Sequence, residues 1–137
     1  MEKSFRRLSS SLDERDAYVQ AEVAAALAHQ IRAIRMQRGW TQAELAQRMG
    51  TRQHVVSRLE DPSYGRYSLH TLLQLSRAFD TGLQVQFVPF VTMFKNTFTP
   101  VHAERAVPSF DEEAGDVAFE SETETGPAQL RPLVAVG

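Results

Sequence analysis

The chain has 137 residues, 42% hydrophobic and 23% charged, with a formal net charge of −2; this suits one globular domain of roughly 100 to 150 residues plus an extension and argues against a multidomain enzyme. The lack of cysteine excludes disulfide frameworks, zinc fingers, thiol nucleophiles and iron–sulfur clusters. The longest uncharged apolar run, Leu83 to Phe94, has 12 residues, short of the about 20 that cross a bilayer, and the stretch after Arg6 and Arg7 is serine-rich and acidic where a signal peptide needs an apolar core; a cytoplasmic protein without membrane contact is expected.

Residues 1–10 show no periodicity and read as a flexible lead. At Ser11-Leu12-Asp13-Glu14 the S-x-x-E spacing of a capping box predicts a helix start. Val19, Val23, Leu27, Ile31 and Ile34 then recur at helical spacing to about Gln37, and Arg38-Gly39 supplies a C-terminal cation and a left-handed cap. Thr41-Gln42-Ala43-Glu44 is a second capping box, opening a short helix with Leu45, Ala46 and Met49 inward and Gly50 at its end. Thr51 is placed to cap a helix over 52–60, which the turn residues Asp61 to Gly65 stop. Ser68 caps a further helix with Leu69, Leu72, Leu73, Leu75 and Phe79 as core candidates, ending at Asp80-Thr81-Gly82.

The period then changes. Leu83, Val85 and Phe87 alternate with Gln84, Gln86 and Val88 before Pro89, the pattern of a half-buried strand, and an unpaired strand of this kind predicts dimerisation through Leu83, Val85 and Phe87. Beyond Pro100 polar, acidic and turn residues mix without period, so 103–137 read as a largely disordered acidic tail. The charge is divided accordingly. Residues 31–77 hold eight arginines against Glu44, Glu60 and Asp61, a balance of +5, while residues 100–137 hold Arg105 and Arg131 against eight acids, a balance of −6. A basic middle suits a polyanion; an acidic tail suits solvent, a basic partner or the basic middle.

Two short helices joined through Gly50, with the small Ala46 where they cross, have the dimensions of a helix-turn-helix. On the predicted second helix of that pair Val56 and Leu59 point one way and His54, Ser57 and Arg58 nearly opposite. Arginine binds guanine O6 and N7 bidentately and glutamine does the same to adenine N6 and N7, which makes Arg52 and Gln53, on the first turn, candidate base readers.

The stretch from Trp40 to Glu60, with its T-Q-x-E-L-A, G-x-x-Q and S-R-L-E segments in register, closely resembles the phage-repressor and Cro-like (xenobiotic-response-element, XRE) family over roughly residues 27–80. The resemblance implies a compact, mainly all-α, lambda-repressor-like domain; joined to the residue pattern, this gives a DNA-binding domain over 11–82 and then a strand and dimerisation segment over 83–102. It implies a recognition helix in the major groove of double-stranded DNA and a homodimer on a near-palindromic operator. It further implies that Gln42 holds a backbone phosphate, with Tyr64 and Arg66 as further phosphate candidates, and that Arg35 and Glu60 form a structural ion pair. The base-reading set is then Arg52, Gln53, His54, Ser57 and Arg58.

Catalysis finds no foothold. His29, His54, His70 and His102 are scattered, without H-E-x-x-H, and His102-Ala-Glu104 has no cysteine half to make a deaminase site; no enzyme activity, metal or cofactor is expected. Three binding roles compete: a stand-alone regulator, most simply a repressor; an antitoxin that represses its own operon and neutralises a toxin; and an interaction scaffold, which leaves Arg52, Gln53 and Arg58 unexplained.

Overall fold

A computed structural model describes residues 2–97 and 106–123. By internal packing the chain divides into two units, Met1–Val107 and Pro108–Gly137. The first contains α1 (Glu2–Ser9), α2 (Leu12–Gln37), α3 (Gln42–Met49), α4 (Gln53–Leu59), α5 (Leu69–Phe79) and α6 (Phe90–Thr97); the second contains α7 (Phe110–Thr123). No helix among the described residues is long and apolar enough to cross a membrane.

Local chemistry sets most of these ends. Thr41 and Glu44 form the complete capping box before α3, the Glu44 amide donating to Thr41 Oγ1 at 3.1 Å and the Thr41 amide to Glu44 Oε2 at 2.7 Å. Gly50 closes α3 at φ 73°, a left-handed conformation that glycine adopts without the Cβ penalty. The box before α2 is only half made: Ser11 Oγ accepts from the Glu14 amide, but the Glu14 carboxylate accepts from the Ser10 hydroxyl instead. Before α4 the capping position belongs to Arg52, without a side-chain bond, rather than to Thr51. After α5 the left-handed residue is Asp80, at φ 56°.

α2, α3, α4 and α5 enclose one core of Ile31, Ile34, Leu45, Ala46, Met49, Val56, Leu59, Leu75 and Phe79, with Leu45 and Val56 completely buried. Burying side chains of this size contributes roughly 1.5–3 kcal/mol each, and truncating Leu45 to alanine should cost about 2–5 kcal/mol. Near its middle α2 buries Ala24 and Ala28 while Val23 stays 44% exposed. The loop after α4 passes over this face: a Cβ on Gly65 would lie 3.7 Å from the Ala24 Cβ, in ordinary contact. On α5 the expected core leucines Leu69 and Leu73 are exposed, and Leu75 and Phe79 carry the buried face with Leu72.

Three expectations are corrected. Residues 2–9, read as a flexible lead, form α1: a Glu2–Arg6 pair at 2.8 Å spans its exposed face, and Phe5 meets the ring of Phe94 edge-on at 5.7 Å. Residues 81–89 hold no regular secondary structure, so Leu83, Val85 and Phe87 form no strand. A strand needs a neighbour to take up its amides, and no described segment of the chain pairs with this one in a ladder; the alternating pattern leaves Val85 and Phe87 in the open instead. The acidic tail, read as disordered, is helical from Phe110 to Thr123. The Glu112 amide donates to Ser109 Oγ and the Ser109 amide to Glu112 Oε2, both at 3.3 Å, and Asp111, Glu112 and Glu113 crowd the positive end of the helix dipole. The remainder of the tail, 103–105 and 124–137, and residues 98–102 of the expected dimerisation segment lie outside the described residues.

Candidate nucleic-acid interface

α4 buries Val56 and Leu59 and leaves Gln53, His54, Ser57 and Arg58 exposed, with Arg52 exposed at its start. Val55, at the margin, is half-buried against the core. The five exposed polar residues therefore share the outer surface of a two-turn helix held by its apolar side. Among the described residues the side chains of Arg52 and Arg58 make no ion pair or hydrogen bond, so both guanidinium groups have their full set of donors to offer.

Behind that surface a polar chain ties three helices together. Arg35 of α2 reaches Glu60, just past α4, through Nε to Oε1 at 2.5 Å and Nη2 to Oε2 at 3.2 Å, and its Nη1 donates to the Trp40 carbonyl at 2.8 Å. The side chains of Arg35 and Glu60 are only 14% and 5% exposed, so each charge is held where the other neutralises it. Gln42, the first residue of α3, donates from Nε2 to Glu60 Oε2 at 2.7 Å and accepts at Oε1 from Gln53 Nε2 at 2.8 Å. Each glutamine amide nitrogen carries two hydrogens. Gln42 thus retains one donor at the N-terminus of α3, and Gln53 retains one donor and its carbonyl oxygen, the pair that matches an adenine edge.

The loop after α4 is anchored by aromatic residues. Tyr67 donates its hydroxyl to the Leu59 carbonyl at 2.7 Å, satisfying one of the last carbonyls of α4. Burial raises the Tyr67 hydroxyl above its ordinary pKa of 10.0, with the charge of Asp61 and then Tyr64 adding to the effect. Asp61 is held below the usual carboxylate value by the Ser63 hydroxyl at 2.7 Å and then the Ser63 amide at 2.9 Å. Tyr64 is half-buried against the core and meets Tyr67 edge-on, ring centroids 6.4 Å apart, while Arg66 is exposed. At the start of α3, Trp40 stacks on Phe79 with centroids 6.3 Å apart, and the Arg48 guanidinium lies 4.0 Å over the Trp40 ring.

Sequence reasoning did not foresee the Gln42–Gln53 and Gln42–Glu60 bonds or the Trp40–Arg48 contact. The first two join residues on separate elements, for which no local spacing rule exists; Trp40 and Arg48 lie eight apart in the chain, the one signal available. Leu83, Val85 and Phe87 are not brought together with any of these residues; they lie exposed after α5.

A buried-and-bonded first helix pair, a left-handed glycine between them and an outward polar face on the second define a helix-turn-helix. Residues 31–86 match the family model described as Helix-turn-helix. Over this segment the chain is similar to the phage-repressor and Cro-like (XRE) helix-turn-helix family, and the match supports a DNA-binding transcription regulator. No curated protein and no solved structure matches the chain.

Proposed function

We propose that the chain is a sequence-specific regulator, acting as a repressor, that lays α4 in the major groove of double-stranded DNA. The observation that carries this reading is the outer face of α4: five exposed polar side chains on a helix whose first residue is bonded through Gln42 to the ion pair at the end of α2. In this reading Arg52 and Gln53 read base edges, His54, Ser57 and Arg58 contribute from the same face, and Gln42, Tyr64 and Arg66 hold backbone phosphates. Gln42 is supported by its remaining donor at a helix N-terminus. Tyr64 has the weaker case, since its ring is engaged with the core.

The protein works as a homodimer on a near-palindromic operator, with half-sites about one helical turn apart. Support for a partner copy comes from the apolar residues left in the open after α5, where Phe87 is 108% and Val85 71% exposed, since monomers rarely leave such side chains clustered in solvent. The same surface favours one other reading, an antitoxin that covers it with a toxin. Selection of bound duplexes from a random DNA pool at physiological salt tests the main reading. Two related half-sites at one-turn spacing are expected, and recovery of no preferred sequence overturns it. Sedimentation of the purified chain separates the partners: a dimer on its own supports the repressor reading, and a monomer that assembles only with the product of an adjacent gene supports the antitoxin.

A further inference from the structure

Val107 is held in the first unit by more bonds than a connecting residue needs. Its amide donates to Gln37 Oε1 at 3.0 Å and its carbonyl accepts from Arg38 Nη1 at 2.8 Å, so two adjacent residues at the end of α2 take both backbone groups of one residue. Arg38 Nη2 donates in turn to the Phe79 carbonyl at 3.1 Å, one of the carbonyls that the end of α5 leaves without a helical partner. The Val107 side chain packs on the core at a cleft between α2 and α5 lined by Ile31, Leu72, Leu75 and Leu83. Val107 is itself part of that lining, and the space left beside it is about 80 Å³, far below the roughly 300 Å³ of a small-molecule site, so the cleft is the seat of the Val107 side chain rather than a small-molecule site. Pro108 follows, and a residue before proline is restricted to the extended conformation, in which a residue presents its amide and carbonyl to either side, as a bound peptide does.

The seat adjoins the polar chain behind α4. Arg35 near the end of α2 and Arg38 just past it stand about one turn apart. Arg38 holds the end of α5, whose Phe79 stacks on Trp40, and Arg35 holds the Trp40 carbonyl and Glu60. We propose that Val107 is an intramolecular latch, bound at the α2–α5 cleft as an extended peptide ligand, and that its release loosens the end of α5 and lowers affinity for DNA. The second half of this proposal rests on the DNA-binding reading; the first does not. A latch of this kind would let whatever engages the chain beyond Pro108 be felt at α3 and α4.

The test compares the full-length chain with Gln37→Ala, which removes the acceptor for the Val107 amide, and Val107→Asp, which unseats the side chain. Backbone hydrogen exchange is read residue by residue, and affinity is read on a labelled duplex recovered from the selection with the wild-type chain. In Gln37→Ala the Val107 amide should exchange about tenfold faster than in the wild type, the scale of one lost hydrogen bond. In Val107→Asp the amides of Phe79 and Asp80 should also speed up, and duplex affinity should fall by about three- to tenfold. Equal Val107 exchange in the wild type and Gln37→Ala overturns the latch. Faster exchange with unchanged duplex affinity overturns the coupling. Should the wild-type chain recover no duplex at all, the DNA-binding reading fails and the coupling with it, while exchange at Val107 still decides the latch.

Discussion

Gln53 donates its side-chain amide to Gln42 Oε1 at 2.8 Å, joining the first residue of α4 to the first residue of α3. The bond fixes the amide plane of Gln53 before any ligand arrives, which removes part of the ordering that recognition would otherwise require. With α4 in the major groove, Gln53→Ala should weaken binding to a selected duplex by about 1–3 kcal/mol and relax preference at one base position. Gln42→Ala should weaken selected and random duplexes alike. Because the two side chains share a bond, the double substitution should lose less than the sum of the single ones. Titrations of both duplexes with all four proteins check this, and strict additivity would separate the two roles.

Arg35 and Glu60 are nearly enclosed, so removing one leaves a buried charge without its partner. Arg35→Ala should therefore destabilise the fold by about 3–5 kcal/mol, well beyond an exposed pair. Urea denaturation followed by circular dichroism gives the value. A loss below about 1 kcal/mol would mean that Glu60 is solvated or satisfied by Gln42 alone.

Tyr67 supplies a pH dependence whose sign follows from its raised pKa. The unfolded chain loses the phenolic proton first, so above the ordinary pKa of 10.0 the native state binds more protons than the unfolded state and stability falls as pH rises. Below that range the contribution is fully present. Tyr67→Phe should lower stability near neutral pH, since the Leu59 carbonyl loses its donor, and should flatten the alkaline decline relative to wild type. Denaturation midpoints of both proteins between neutral and strongly alkaline pH show this as two curves that converge; parallel curves would reject it.

Gly50 carries the turn of the helix-turn-helix at φ 73°, with open space where a Cβ would lie. Gly50→Ala should therefore cost about 1–2 kcal/mol from backbone strain alone, without a clash. Thermal unfolding measures it. Retained duplex affinity per folded molecule is the expected companion result, because the crossing of α3 and α4 is held by Leu45, Ala46, Val56 and Leu59 rather than by the turn.

The helices from α2 to α5 were legible because their signals are local: capping serines and threonines, the glycine stops at Gly39 and Gly50, and apolar residues at helical spacing. α1 was not, because Phe5 and Leu8 are too few to set a period and its partner Phe94 is remote in the chain. α7 had a readable start in Ser109 and Glu112, obscured by the density of acids behind it. The alternation from Leu83 to Val88 misled in the opposite direction, since side-chain period alone cannot provide the second strand that pairing requires. For the interface, the outward set on α4 follows from helix geometry, whereas the bonds linking Gln53, Gln42 and Glu60 depend on how three elements cross.

α4 has seven residues, about 10 Å of helix axis, which covers roughly three base pairs at 3.4 Å per step. As a store of information that is small: a three-letter word recurs by chance about once in 64 positions of random sequence, and two such words at fixed spacing about once in 4,000. A lone protomer reading with α4 would be distracted by nearly every gene it passed. On the proposed homodimeric reading, the brevity of this helix makes genomic address a property of paired copies rather than of the single chain, and makes protein concentration, through pairing, part of the address.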